Sequence, residues 1–184
     1  LLPKDVWKLQ GVLTGGTDTE IFREKIKYYW GKEPLEGYAC TEAGILAFQT
    51  WTYKGMVFMP YGNFLEFIPF EEHIKNKQDK NYKPRTVLLS ELQPGIYELV
   101  FTNLLGGVFT RYRVGDLIEC IALRDEVAGV NLPQIRFYSR GDDIIDLAGL
   151  VRFTEKTIWQ VIEATSIKYV DWIARKEELE NKPI

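Results

Sequence analysis

Between Gly37 and Gln134 the chain is a succession of short runs rich in branched and aromatic residues, each closed by glycine, proline or a polar cluster. The runs are Ile45 to Thr52, Met56 to Met59, Phe64 to Ile68, Thr86 to Leu89, Ile96 to Asn103, Val108 to Arg113 and Leu117 to Leu123. Segments of this length and composition favour β-strands over helices. Pro94-Gly95 and Gly106-Gly107 separate neighbouring runs as hairpin turns would. The middle of the chain is therefore expected to be a β-rich subdomain, and everything else must flank it.

The flanks read as helical. Gly15-Gly16 precede Thr17-Asp18-Thr19-Glu20, in which Thr17 and Glu20 have the spacing of a capping box. A helix is expected from there to about Trp30, with Ile21, Phe22, Ile26, Tyr29 and Trp30 on one side and Gly31 as its stop. After a strand over Ile135 to Ser139 come Arg140-Gly141-Asp142-Asp143, the apolar run Ile144 to Leu147, and Gly149. Thr154-Glu155 then cap a helix to about Thr165, and Tyr169 to Arg175 alternates as a half-buried strand. The polar stretch from Phe70 to Arg85 carries Lys75, Lys77, Lys80, Lys83 and Arg85; it could attract an anion but reads better as a solvated loop or short helix. The one histidine, His73, lies within it and is expected at the surface.

Composition narrows the function classes. A net charge of −3 argues against a dedicated nucleic-acid surface. Cys40 and Cys120 are too few for a disulfide framework or a zinc site, which makes a reducing cytoplasm the default and Cys40 a small apolar residue. With no run of eighteen apolar residues, no membrane span is expected. The oligomeric state is not specified. At 184 residues the chain can bury a core.

Three segments carry chemistry. Tyr38-Ala39-Cys40-Thr41-Glu42 offers an aromatic face, a hydroxyl and a carboxylate, which suit a base, a phosphate oxygen and Mg²⁺. Arg111-Tyr112-Arg113-Val114-Gly115-Asp116 ends in what reads as a turn presenting an exposed Asp116, whose carboxylate can accept two hydrogen bonds from a ribose diol. Arg140-Gly141-Asp142 adds a guanidinium beside a flexible turn. Read one at a time, these segments are a capped strand end, an Asx-type turn and a surface ion pair. Their order is the stronger signal, and together they read as a nucleotide site split across the sequence.

That order resembles the adenylate-forming superfamily of acyl-CoA synthetases, peptide synthetase adenylation domains and luciferases. The likeness is closest to its auxin-responsive acyl acid amido synthetases. It rests on Gly37 to Glu42, Phe64-Leu65-Glu66-Phe67-Ile68-Pro69, Tyr97-Glu98-Leu99-Val100-Phe101-Thr102 and Tyr112 to Asp116. The resemblance implies an α+β fold: the β-rich subdomain, a distorted barrel or sheet with flanking helices, plus the start of a small α/β C-terminal domain. Residues 1–139 would be the late part of a large adenylating domain, 140–149 a hinge, and 150–184 the start of the small domain. The implied activity is an ATP-dependent ligase that forms an acyl adenylate from a carboxylic acid and passes the acyl group to an amine such as an amino acid. The alternatives are transfer to the thiol of coenzyme A, as in phenylacetate-type ligases, and a non-catalytic ligand-binding module.

By the same resemblance Tyr38 would stack on adenine, with Gly15 and Gly16 permitting close backbone approach. Thr41 would donate to the α-phosphate and Glu42 would hold Mg²⁺. Asp116 would take the ribose, with Arg140 and Asp142 reaching the nucleotide from the far side. Arg111 and Arg113 are weaker candidates for the polyphosphate. The family's Ser/Thr/Gly-rich phosphate loop would lie before residue 1 and its late lysine beyond residue 184, so this chain alone is expected to be an inactive fragment.

Overall fold

The computed structural model describes residues 1–16, 19–147, 151–165, 167–179 and 182–183. It divides into two compact units, Leu1–Tyr138 and Ser139–Ile184.

The first unit opens with a short helix α1 (Pro3–Val6), strand β1 (Val12–Thr14), helix α2 (Thr19–Trp30) and strand β2 (Pro34–Cys40). Strands β1 and β2 pair in parallel, Leu13 opposite Leu35, so α2 is the crossover of a βαβ unit. The expected helix is present and ends as expected, with Gly31 at a φ of +69°. Thr17, half of the expected capping box, lies outside the described residues. The backbone N–H of Thr19, in the first turn of α2, donates to the buried Glu36 carboxylate of β2 at 3.4 Å. That helix end is thus served by an internal anion.

The β-rich middle follows as β3 (Gly44–Gln49), β4 (Met56–Phe58), β5 (Asn63–Pro69), α3 (Phe70–Gln78), β6 (Val87–Leu88), a 3₁₀ turn at Leu89–Glu91, β7 (Gly95–Asn103), β8 (Tyr112–Ala122) and β9 (Gln134–Arg140). One nine-stranded sheet results, in the order β1-β2-β3-β4-β9-β8-β7-β5-β6. It is mixed and open, which settles the choice between barrel and sheet. It is nevertheless curled. Strands β2 and β8 stand four places apart in the order, roughly 19 Å across a flat sheet at about 4.8 Å per strand, yet their side chains meet. Inside the curl Leu46, Met56, Phe58, Phe67, Leu99, Phe101, Ile118 and Ile135 are buried together, Phe58 and Phe67 with ring centroids 5.4 Å apart.

Three expectations need correction here. Pro94-Gly95 is not a hairpin turn, because β5 lies between β6 and β7; Gly106-Gly107 does join two paired strands, β7 and β8. Val114-Gly115 is not a turn between two strands but part of the single strand β8. Glu98 pairs with Leu117 and Val100 with Arg113, so Val114, Gly115 and Asp116 stand opposite Leu99 alone. The extra residues form a bulge with Gly115 at a φ of +85°. His73, third, is a buried member of α3, 7% exposed.

In the second unit β10 (Ile145–Leu147) and β11 (Val151–Phe153) form an antiparallel pair. Gly149, between them, lies outside the described residues. Helix α4 (Glu155–Ala164) starts at Thr154, whose Oγ1 accepts from the Thr157 N–H at 3.3 Å, the cap read from the sequence. Strands β12 (Glu178–Leu179) and β13 (Lys182–Pro183) pair with each other. The expected strand at Tyr169 to Arg175 does not form. Val170 and Ile173 are exposed, and alternation alone cannot hold a strand without a partner ladder. No helix among the described residues is long and apolar enough to cross a membrane.

Candidate functional site

Strands β2 and β3 are joined by Thr41, Glu42 and Ala43, with Cys40 paired to Gly44. A three-residue hairpin loop of this kind needs a left-handed residue after its turn, and Gly44 supplies it at a φ of +70°. The loop lifts Thr41 to an exposed position and leaves Glu42 half-buried. A register shift between Tyr38 and Ala39 sets the strand leading into it. Behind the strand, Gly15 approaches so closely that a Cβ there would lie 2.8 Å from the Gly37 carbonyl oxygen. Glycine is thus required at the end of β1 to bring the β1–α2 turn against the residue before Tyr38.

Tyr38 and Asp116 form the centre of the site. The Tyr38 hydroxyl donates to Asp116 Oδ2 at 2.7 Å, across 78 positions of sequence. Both are buried, Tyr38 at 9% and Asp116 at 7% exposure, and the Tyr38 ring lies 6.4 Å from Phe137. The exposed carboxylate expected at Asp116 is therefore a sheltered one, because the bulge turns it inward where a turn would have projected it. Cys40 reports the same gathering of charge. Burial, with smaller contributions from the Glu42 and Asp116 carboxylates, pushes its thiol above the usual range despite hydrogen bonding from the Ala43 N–H. A thiol so placed is a packing residue rather than a nucleophile.

Glu42 is held lightly. Its Oε1 accepts from the Tyr112 hydroxyl at 3.5 Å, and its backbone carbonyl accepts from Asn103 Nδ2 at 3.2 Å. The neighbouring Ala43 carbonyl accepts from Asn63 Nδ2 at 3.0 Å. Among the described residues no group of three His, Cys, Asp or Glu side chains is arranged to hold a metal. A single half-buried carboxylate suits Mg²⁺, which commonly binds through one or two carboxylates and the phosphates of its nucleotide.

Tyr38, Thr41, Glu42, Asp116 and Gly15 thus gather in the first unit, with Gly16 beside Gly15 at a φ of +85°. Arg140 and Asp142 belong to the second unit, where both are exposed: Arg140 ends β9 and Asp142 occupies the turn closed by the Asp143 N–H to the Arg140 carbonyl, 3.1 Å. The weaker arginine candidates are engaged with carboxylates. Arg111 Nε donates to Glu66 Oε2 at 3.0 Å. Arg113 forks onto Glu98 at 2.7 and 2.6 Å, while His73 Nδ1 lies 2.6 Å from Glu98 Oε2. Burial alone would push the Glu98 carboxyl up. Hydrogen bonds from His73 and Arg113 outweigh it and hold the group at about 2. Sequence reasoning missed Asn63, Asn103 and this cluster. Tyr112 lay within a quoted motif, but nothing local to either asparagine signals a contact with residues twenty or more positions away.

Residues 56–140 match the family model described as the GH3 family central domain. The resemblance read from the motifs is borne out over that span. Among solved structures the chain is similar to a GH3.15 acyl acid amido synthetase, at 18% identity and a TM-score of 0.58, over 89% of this chain and 27% of that one. It is also similar to an AtGH3.15 acyl acid amido synthetase in complex with 2,4-DB, at 19% identity and a TM-score of 0.59, over 87% of this chain and 26% of that one. At such identity the likeness establishes a shared fold. The chain spans about a quarter of the length of those structures. No curated protein sequence matches it.

Proposed function

We propose that this chain is part of an ATP-dependent acid-activating ligase that forms an acyl adenylate and transfers the acyl group to an amine such as an amino acid. One observation carries the reading: the Tyr38–Asp116 bond gathers two motifs 78 residues apart beside a hairpin tip that presents Thr41 and Glu42. The GH3 central-domain match supports it, and the 2,4-DB complex of a similar acyl acid amido synthetase supports an acyl acid as substrate.

In this reading Asp116 accepts the ribose hydroxyls. Tyr38 fixes the direction of that carboxylate and lines the adenine side with Gly15 and Gly16. Thr41 donates to the α-phosphate, and Glu42 holds Mg²⁺. When bound, Mg²⁺ supplies the charge neutralisation that lets a carboxylate approach a phosphate. Residues 1–139 are the late part of an adenylating domain, 140–149 a hinge that carries the nucleotide-binding candidates Arg140 and Asp142, and 150–184 the start of a small domain. The setting is cytoplasmic. Because the 184-residue chain spans about a quarter of the similar acyl acid amido synthetase structures, it is proposed to be inactive by itself.

The test is ATP–pyrophosphate exchange by the full-length natural protein against a panel of carboxylic acids. Asp116→Ala should raise its ATP requirement roughly ten- to a hundredfold, the effect of losing about 1.5 to 3 kcal/mol of hydrogen bonding to a charged group. Unchanged nucleotide affinity in a folded Asp116→Ala protein, or turnover by the isolated chain, would sink the reading.

A further inference from the structure

The ladder between β5 and β7 ends with Asn63 directly opposite Asn103. Each of these paired side chains donates its amide N–H to one of two consecutive carbonyls on the β2–β3 tip, Asn103 to Glu42 and Asn63 to Ala43. Neither amide is free to turn. Asn103 Oδ1 accepts from the Leu105 N–H at 2.7 Å, which fixes its Nδ2 toward Glu42. Asn63 is 4% exposed, and its Nδ2 is committed to Ala43.

Asn63 serves a buried carbonyl but leaves its own oxygen unsatisfied. Its Oδ1 is the buried side-chain polar atom without a hydrogen-bond partner among the described residues, an arrangement that costs stability. Its side chain accomplishes one thing, the bond to Ala43. A three-residue hairpin tip is ordinarily a mobile part of a sheet; here Thr41 is exposed and Glu42 half-buried, while Ala43 is 2% exposed and its carbonyl meets Asn63 in a buried bond. Two cross-strand amides acting on adjacent carbonyls remove that mobility at the residue whose carboxylate needs a fixed position.

We propose that Asn63 and Asn103 are positioning residues, a cross-strand pair that clamps the β2–β3 tip so that the Glu42 carboxylate and Thr41 hydroxyl stand ready for a magnesium nucleotide. The clamp rests on the adenylating reading above. It adds to the motif residues two that touch neither nucleotide nor metal and act only through the backbone of the tip. A small displacement there is costly, since charge stabilisation depends on atoms held to a fraction of an ångström.

The experiment measures ATP binding by the full-length natural protein as Mg²⁺ is titrated, with adenosine affinity and thermal midpoint recorded for the same samples. Asn103→Ala and Asn63→Ala should each raise the Mg²⁺ concentration for half-maximal ATP binding roughly five- to tenfold, with adenosine affinity unchanged. In a Glu42→Gln background neither asparagine variant should add a further shift, because the clamp acts through Glu42. A normal Mg²⁺ requirement in folded asparagine variants, while Glu42→Gln shifts it, would overturn the clamp alone. A lowered thermal midpoint with no change in Mg²⁺ requirement would do the same. No shift on Glu42→Gln itself would overturn the adenylating reading and the clamp with it.

Discussion

Neighbouring residues of β8 lead to two carboxylates with opposite fates. Successive side chains of a strand point to opposite faces. Arg113 meets Glu98, which is 2% exposed and also bonded to His73. Tyr112 meets Glu42, which is half-buried and accepts one long hydrogen bond from a neutral phenol. Glu98 is saturated by groups that carry or can carry positive charge, so its own charge is spent inside the protein. Glu42 has no cationic hydrogen-bond partner of this kind among the described residues, as its proposed Mg²⁺ role requires. In the proposed reading, the charge of a carboxylate's partners, and not its place in a motif, separates Glu42 from Glu98.

The difference can be broken most forcefully with acid. Glu98 has a folded pKa of about 2 against 4.5 for the ordinary group. A depressed carboxyl contributes stability that is present above 4.5 and lost as the pH falls toward 2, about 3 kcal/mol over that window. Acid denaturation of the first unit should be steep between those limits and markedly flatter for Glu98→Gln. Arg113→Met comes next. It leaves Glu98 buried with His73 alone and should lower unfolding free energy in urea by about 2 kcal/mol, less than a fully buried pair would lose because the Arg113 side chain is 36% exposed. Tyr38→Phe removes the bond to Asp116 and should cost about 1.5 kcal/mol in the same assay. Glu42→Gln should change stability by less than about 0.5 kcal/mol. If Glu42→Gln destabilises as much as Arg113→Met, the two carboxylates are alike and the contrast fails.

Much of this was legible in the sequence where local chemistry decides. The α2 stop at Gly31, the Thr154 cap and the strands from β3 to β5 and β7 follow from residues within a few positions of one another. What could not be read depends on partners far away. His73 looks like a surface residue of a lysine-rich helix until β7 brings Glu98 against it, 25 residues on. Gly115 signals a positive φ, and a turn and a bulge both use one; the choice belongs to the register with β7, not to the glycine. Tyr169 to Arg175 has the alternation of a strand and lacks what makes one, a partner ladder. For the candidate site the motif residues were identifiable and their roles remain proposals, whereas Asn63 and Asn103 carry no chemical signature in the sequence at all.

The order of strands also sets a timetable. Strand β4 finds its second neighbour only in β9, with Val57 opposite Gln134, and the Tyr38–Asp116 contact joins the same two halves. A ribosome adding about 5 to 20 residues per second takes roughly 4 to 15 s to make the chain between those partners. Throughout that interval the β2–β4 meander has been synthesised and one of its edges lies open to any other nascent chain. High temperature or heavy overexpression should therefore divert this protein into aggregates during synthesis, before the candidate site exists, and slowing initiation should recover more soluble product than any substitution at the site itself.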